Sequence, residues 1–483
     1  MDLAPLGEPT LVTQTVAGVL NLHEQPGRPI PEVLRDHLAN RRLLLILDNC
    51  EHVLGECARL ANMRLHAAAE LRILATSREP LGIAGEAIFR VASLSLPDPS
   101  TAAIEVVGRS DAVRLFIERA VLGQKDFTIS DRNASAVAQI CARLDGIPLA
   151  IELAAARISA LSPEQIAARL DDRFKLLTGK TRTALPRQRT LRATLDWSYS
   201  LLSEAEQLVM QRLSVLAGGW TLEAAEHVVA LEANQPEVLD LLTSLVDKSL
   251  VVMSDDTGGT RYRMLETTRQ YAAEKLDATG GTDAVRKRHA EYFADLAERA
   301  DGEMERGKFE TWQEVTAEQD NTLAALEWAL NGGAVETGTR LAIAMGHFWD
   351  LQGLLTLEAY WARRARQHEK GLPPKLRAGV LEISARAEWV QSNLKEGRRF
   401  GLQALAISRE LGDAYMIGRT LIVLAGTSVG DPSKYAQART WQAEALTSAR
   451  QGGYARLESF ALVVLGEVAR SVDDYETAKS AYT

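Results

Sequence analysis

Leu43-Leu44-Leu45-Ile46-Leu47-Asp48-Asn49-Cys50-Glu51 is the stretch from which the fold is read. Its run of large aliphatics, preceded by Arg41-Arg42 and closed by Asp-Asn, predicts a strand buried on both faces of a parallel sheet. Such sheets bind ligands at the carboxyl ends of their strands, so Asp48 is delivered where a magnesium ion would sit, held directly or through water. The same Asp would equally serve as a cap for the next helix, and the strand alone does not choose between the two.

Outward from this strand, Cys50 to Ala69 predicts a helix, and Leu71-Arg72-Ile73-Leu74-Ala75 a second buried strand ending in Thr76-Ser77-Arg78-Glu79. Hydroxyls and a guanidinium beside a neighbouring carboxylate would seat Mg²⁺, a water and a terminal phosphate together. The plainer reading of Arg78 is a solvated loop arginine. Ile88-Phe89-Arg90-Val91 predicts a third short strand, followed by the Pro/Ser-rich linker from Leu94 to Ser100. Strand, helix, strand, loop, strand is α/β grammar. Residues 1–40 add a helix with apolar positions at Leu11, Val12, Val16, Val19 and Leu20, a turn-rich stretch from Glu24 to Pro29, and a helix after Pro31.

Three ordered stretches carry a family resemblance: Leu-Leu-Leu-Ile-Leu-Asp-Asn-Cys-Glu-His from Leu43, Ile-Leu-Ala-Thr-Ser-Arg-Glu-Pro-Leu from Ile73, and Leu-Asp-Gly-Ile-Pro-Leu-Ala-Ile-Glu-Leu-Ala-Ala-Ala from Leu144. Together they resemble the bacterial signal-transduction ATPases with numerous domains, within them the NB-ARC-like, LuxR-type transcriptional-regulator ATPases. The resemblance implies ATP/ADP and Mg²⁺ as cofactors. It makes Asp48 the Walker B magnesium ligand, Arg78 the sensor of the terminal phosphate, and Pro148 the helical-domain residue that packs on the nucleotide. Thr76 and Gly146 join them as candidate nucleotide-binding positions. Read from the residues alone, Gly146-Ile147-Pro148 ends one helix and starts the next, because Pro suits a first helical turn. A helix corner with no ligand is the alternative.

The chain departs from that family in one respect. No Gly-x-x-x-x-Gly-Lys-Ser/Thr loop, whose backbone N–H groups would cradle phosphates, precedes the strand at 43–47. Met1 to Leu6 resembles the end of the family's second strand, so the expectation is that the first strand and its loop are left off, exposing unpaired sheet backbone. Asn49 stands where a second acid often orients the attacking water, and an amide cannot accept that proton. Glu51 and Glu79 are possible substitutes. ATPase activity is therefore implied by resemblance only, and tight nucleotide binding or turnover by this chain is not expected.

With 483 residues, the chain has room for about three domains. Its Ala, Leu, Arg and Glu content favours helix. A net charge of −9 argues against a chain-wide nucleic-acid footprint. Cys50, Cys57 and Cys141 are too scattered for a disulfide framework or zinc site, and are expected as buried thiols. Neither a signal-like start nor a membrane-spanning run is present, which gives a cytoplasmic expectation and no membrane partner.

Asp111 to Ala120 and Asn133 to Arg157 predict the helices of a small domain. Lys180 to Arg192 carries five basic residues, either a phosphate-contacting arm or a solvated loop, before a helix from Ala193 to Leu201. Ser203-Glu-Ala-Glu206 is a helix start, running to Gly218-Gly219. A second helix follows Thr221, a third spans Leu239 to Asp247, and the strands Ser249–Met253 and Arg261–Leu265 complete a winged helix. A winged helix suggests DNA. Leu222 to Val229, however, offers acids where base reading wants Arg, Lys, Asn or Gln, which favours an internal clamp. In the resembled family a Met-His-Asp motif after the wing touches ADP; Met264-Leu265-Glu266 stands there without the His.

From Ala284 helices continue to the end, and from Ala378 a repeat of about 40 residues emerges. Tyr435 and Tyr475, Ala438 and Ala478, and Ala404 and Ala445 occupy equivalent places. Leu465-Gly466-x-x-Ala469 with Tyr475, Ala478 and Tyr482 resembles the tetratricopeptide pattern. Such arrays form concave surfaces for a protein or small-molecule effector, or act as purely structural stacks.

The expected fold is mostly α with an amino-terminal α/β part. Its expected parts are an incomplete P-loop NTPase-type parallel sheet in a partial nucleotide-binding domain over 1–100, a helical domain over 101–180, a winged helix over 181–283 and an α-solenoid over 284–483. The expected function is a signal-responsive transcriptional regulator of the nucleotide-switch type, truncated, whose repeats bind an effector. DNA would be reached through an effector domain not present here, with nucleotide-dependent self-association possible. Two other readings stand beside it: a repeat-based interaction module with a vestigial nucleotide site, and a direct DNA binder through residues 203–265.

Overall fold

In a computed structural model, which describes all residues except 23–27, 40, 66–69, 78, 98–107, 178–185, 231–236 and 257–258, the aliphatic run forms strand β1 (Leu43–Leu47). Helices α1 (Val12–Val19) and α2 (Ile30–Ala39) precede it, and α3 (Leu54–Leu65) and β2 (Leu71–Ala75) follow. β1 and β2 pair in parallel, Leu43 opposite Leu71 and Leu47 opposite Ala75. Along the other edge of β1, Asp48 N–H donates to the Met1 carbonyl and Leu3 N–H to the Asp48 carbonyl, both at 2.9 Å. The chain start thus runs parallel to the strand end.

Burial on both faces of this sheet does not occur. Leu45 and Leu47 are buried, whereas Leu44, Ile46 and Leu74 are 55%, 44% and 52% exposed. Successive strand side chains point to opposite faces, so one face belongs to the core and the other has no covering layer among the described residues. An unbroken apolar run fits a strand with two covered faces but cannot supply the second layer. The helix expected from Cys50 also begins later. Asn49 adopts a left-handed backbone (φ 66°), Cys50–His52 form one 3₁₀ turn, and α3 opens at Leu54. Ile88 to Val91 is not a strand: it has no ladder partner among the described residues, and Ile88, Phe89 and Val91 are strongly exposed. β-Propensity without a neighbouring strand does not make one.

The chain forms two compact units, Met1–Glu86 with Arg286–Thr483, and Ala87–Val285. In the second, α4 (Asp111–Gly123), α5 (Ala134–Arg143), α6 (Pro148–Ala155), α7 (Pro163–Leu177) and α8 (Pro186–Ser200) build a helical core around Phe116, Ile140, Ile151 and Trp197. The start of the expected linker is docked: Leu94 N–H donates to the Gly146 carbonyl at 3.0 Å, and Ser95 Oγ accepts from the Asp111 N–H at 2.8 Å.

The winged helix follows as α9 (Glu204–Leu213), α10 (Leu222–Val229), α11 (Val238–Asp247), β3 (Val252–Asp256) and β4 (Gly259–Arg263). Ser203 and Glu206 close a reciprocal capping box on α9. The helix stops at Leu213, short of the glycine pair. The hairpin is displaced from its expected register because Leu250 and Val251 are taken into the core, leaving the polar Ser254-Asp255-Asp256 to pair with Gly259-Thr260-Arg261. Buried Trp220 exchanges backbone hydrogen bonds with Tyr262, at 2.8 and 2.9 Å. Next comes α12 (Glu266–Thr279), whose Tyr271 hydroxyl donates to Asp196 on α8 at 2.7 Å.

The carboxyl-terminal array starts with α13 (Thr282–Glu305), α14 (Glu310–Ala317), α15 (Gln319–Trp328), α16 (Val335–Leu351) and α17 (Leu355–Arg366). It continues as α18 (Pro374–Val390), α19 (Leu394–Leu411), α20 (Ala414–Gly426), α21 (Tyr435–Gly452), α22 (Ala455–Arg470) and α23 (Tyr475–Tyr482). Gly412 and Gly453 end successive repeats with left-handed backbones (φ 65° and 66°). A Cβ on Gly466 would lie 2.5 Å from the Tyr482 ring, and one on Gly426 would lie 2.3 Å from the Trp389 ring. Aromatic rings occupy the space that these glycines vacate, which is the physical content of the repeat motif. Ala404, Ala438 and Ala445 are fully buried and Ala478 nearly so.

All three cysteines are buried and free, and burial pushes the Cys141 thiol up to about 12. No helix among the described residues is long and apolar enough to cross a membrane.

Candidate functional site

The two parallel strands end side by side. Thr76 N–H donates to the Leu47 carbonyl and Cys50 N–H to the Thr76 carbonyl, each at 2.9 Å. This clamp sets the Thr76 hydroxyl against Asp48: Oγ1 donates to Oδ1 and accepts from the Asn49 N–H at 2.9 Å. With its amide nitrogen facing Glu51, Asn49 donates to that carboxylate at 3.1 Å. Asp48, Asn49 and Thr76 therefore share one small polar site. Arg78 lies outside the described residues.

Chemically, the site offers one carboxylate with a hydroxyl bonded to it. Mg²⁺ usually takes one or two carboxylates and completes its shell with waters and substrate phosphates, so Asp48 suits an ion shared with a nucleotide. Among the described residues, no group of three or more His, Cys, Asp or Glu could hold a metal alone.

Gly146 and Pro148 belong to the other unit. Asp145 and Gly146 both have left-handed backbones (φ 53° and 64°), and a Cβ on Gly146 would approach the Leu94 carbonyl oxygen to 2.5 Å. Only glycine fits there. Pro148 is the exposed first residue of α6.

Among the described residues, the helices of the winged helix present few base-reading groups. α10 turns Glu223 and Glu226 outward, and the exposed residues of α11 include Leu239, Asp240 and Thr243. Lys248, just past α11, is engaged by buried Glu206, which also accepts from Ser244. Burial opposes the charge on Glu206, yet the Lys248 ammonium, the Ser244 hydroxyl and the Ser203 N–H bring it down to about 2. Of the basic stretch, residues 180–185 lie outside the described residues. Arg192 pairs with Glu274 at 2.6 Å and stacks over Tyr271. After the wing, Met264 is buried and Glu266 is bonded within its own turn to Arg269 and Gln270 at 2.8 Å.

A concentration of buried charge in the array was not anticipated from the sequence. Four helices of the array, α13, α16, α18 and α20, together with Tyr454, line a cavity of about 370 Å³. Behind its wall His347 Nδ1 donates to Asp301 at 2.9 Å, with Nε2 3.6 Å from Glu382. Arg419 reaches Glu305 at 3.2 Å and Glu382 at 3.4 Å, and Arg456 bonds Glu305 as well. Arg386 pairs with Glu358 at 2.5 Å and Asp350 at 2.8 Å. Burial pushes Glu358 up to about 8 despite the Arg386 guanidinium beside it, whereas Arg419 and His347 hold Glu382 well below the usual range against its burial. The signal in the sequence was a lone Arg419 inside the otherwise apolar run of α20.

A family model described as a winged helix-turn-helix domain matches residues 202–277. Rv0890c of Mycobacterium tuberculosis, named as a candidate HTH-type transcriptional regulator, is 42% identical over 430 residues, covering 87% of this chain and 47% of that protein. The chain thus spans about half the length of that relative. The uncharacterized protein Rv0894 of M. tuberculosis is 41% identical over 294 residues, 60% of this chain and 72% of that protein. Among solved structures, the chain is similar to the Signal Transduction ATPase with Numerous Domains protein PH0952 from Pyrococcus horikoshii, which carries a tetratricopeptide repeat sensor. The TM-score is 0.51 at 14% identity, over 99% of this chain and 66% of that one. At that identity the likeness shows the fold: a helical, repeat-bearing chain with a small α/β part.

Proposed function

The chain belongs to the same family as the uncharacterized mycobacterial protein Rv0894, and we propose that it acts as a signal-responsive transcriptional regulator of the nucleotide-switch type. In this reading the repeat array receives an effector, the winged helix is an internal clamp, and the ends of β1 and β2 belong to a nucleotide site of NB-ARC-like, LuxR-type character. The observation that carries it is the cavity in the array, walled by a buried charge network that a purely structural stack does not need. The outward acids of α10 and α11 support the clamp over a direct DNA contact.

Bound Mg²⁺ and ATP or ADP would supply the charge that distinguishes the two states of such a switch. Asp48 would hold the ion. Thr76 would orient the Asp48 carboxylate, and Arg78 would meet the terminal phosphate. Asn49 cannot accept a proton from water, so turnover is not expected from this arrangement.

A second reading, a repeat-based interaction module with a vestigial nucleotide site, is favoured by the open face of Leu44, Ile46 and Leu74 on the sheet. Calorimetric titration of the full chain with Mg-ADP and Mg-ATP separates the two. Asp48-dependent heat supports the switch, and its absence supports the interaction module.

A further inference from the structure

The cluster at the array cavity joins the carboxyl groups of Asp301, Glu305, Asp350, Glu358 and Glu382 to the guanidiniums of Arg386, Arg419 and Arg456 and the imidazole of His347. A buried polar atom left without a partner is costly, and Glu305, Glu358 and Glu382 each keep one such oxygen. Of these three, Glu305 is the one at the cavity. It lines the cavity, is 3% exposed, and uses Oε1 for both Arg419 and Arg456. Its Oε2 is buried with no hydrogen-bond partner. A native carboxylate oxygen left in that state calls for a donor from outside the protein.

The opposite character lies on the other walls. Ile343, Leu376 and Met416 are apolar, and the rings of Tyr415 and Tyr454 lie 4.9 Å apart. Aromatic faces attract cations and cover apolar bodies equally well. The volume is at the small end of the range for small-molecule pockets.

We propose that this cavity binds a small ligand made of a protonated amine on an aromatic or apolar body, the amine donating to Glu305 Oε2 and the body lying against Tyr415 and Tyr454. The inference rests on the reading of the array as the receiver of a signal, and names the chemical class of that signal. Of the other cations in the lining, Arg340 is bonded to Asp295 at 2.7 Å and to Glu298 at 2.5 Å, Arg306 is bonded to the Gly302 carbonyl at 3.0 Å, and Lys375 is an exposed side chain in the first turn of α18.

The test uses three probes of one body, tyramine, tyrosine and 4-hydroxyphenylacetate, titrated calorimetrically into the full chain. Tyramine and tyrosine are expected to bind and 4-hydroxyphenylacetate not to. Glu305→Gln should weaken the amines at least about tenfold, the size of a charged hydrogen bond. Tyr454→Ala, which leaves the buried charges intact, should weaken them too. Binding of 4-hydroxyphenylacetate in place of the amines would overturn the amine assignment while sparing the array as receiver. Silence from all three probes would overturn the amine assignment and count against the array reading as well. Amine binding undiminished in both variants would place the ligand elsewhere and overturn the proposal.

Discussion

Thr76 and Asp48 are 28 positions apart in sequence, yet the hydroxyl of one donates to the carboxylate of the other while accepting from the Asn49 N–H at 2.9 Å. One threonine thus fixes both the carboxylate and the backbone that turns away from it. The parallel pairing of β1 with β2 makes this meeting possible, because it brings two carboxyl ends to the same side.

Thr76→Val removes that donor and acceptor without changing shape. Hydrogen exchange at the Asn49 amide should then accelerate by roughly fivefold, as expected for about 1 kcal/mol of lost local stability, and Thr76→Ser should restore protection. Unchanged protection in the valine variant would mean that the hydroxyl does not order the strand end.

Gly146→Ala places a Cβ 2.5 Å from the Leu94 carbonyl on a left-handed backbone. Thermal denaturation should report a loss of about 2 kcal/mol or more, with or without nucleotide present. Pro148→Ala, at an exposed first turn, should cost well under 1 kcal/mol.

Glu206 is held at about 2 when folded, below the ordinary 4.5 of an unfolded glutamate. A depressed carboxylate contributes stability that is fully present above pH 4.5 and is lost as the pH falls toward 2. Acid titration followed by tryptophan fluorescence should show that loss in the winged-helix unit. Glu206→Gln should flatten the slope in this window while lowering stability at pH 7 by about 2–3 kcal/mol.

His289 on α13 is fully enclosed, and its burial lowers the imidazole from 6.5 to about 4. The folded chain resists a proton that the unfolded chain accepts, so stability is highest above pH 6.5 and falls as the pH drops to 4. The change is on the order of 3 kcal/mol. Urea midpoints at pH 7, 5.5 and 4 check this, and His289→Phe should reduce the dependence.

Much of the architecture was legible in the sequence where local pattern and tertiary environment agree. The strand pair, the helix break at Gly146-Pro148, the helix start at Ser203 and the repeat periodicity at Tyr435 and Tyr475 are all local signals. What failed depended on partners. Among the described residues, Ile88 to Val91 has strand-forming side chains but no neighbouring strand, and Leu44 and Ile46 are apolar without a second layer. The candidate site was half legible: Asp48, Asn49 and Thr76 do meet. The buried network of Glu305, His347, Glu382 and Arg419 stayed hidden because its members come from four different helices, Glu305 and Arg419 being 114 positions apart, and charged residues in helices ordinarily face water.

The measurement that most directly tests the nucleotide-switch account is calorimetric titration of Mg-ADP into the full chain and into Asp48→Asn, a substitution that keeps an acceptor for Thr76. The account predicts weak heat in the native chain that requires both Mg²⁺ and Asp48. Heat that is equal in the two proteins, or absent from both, would contradict it.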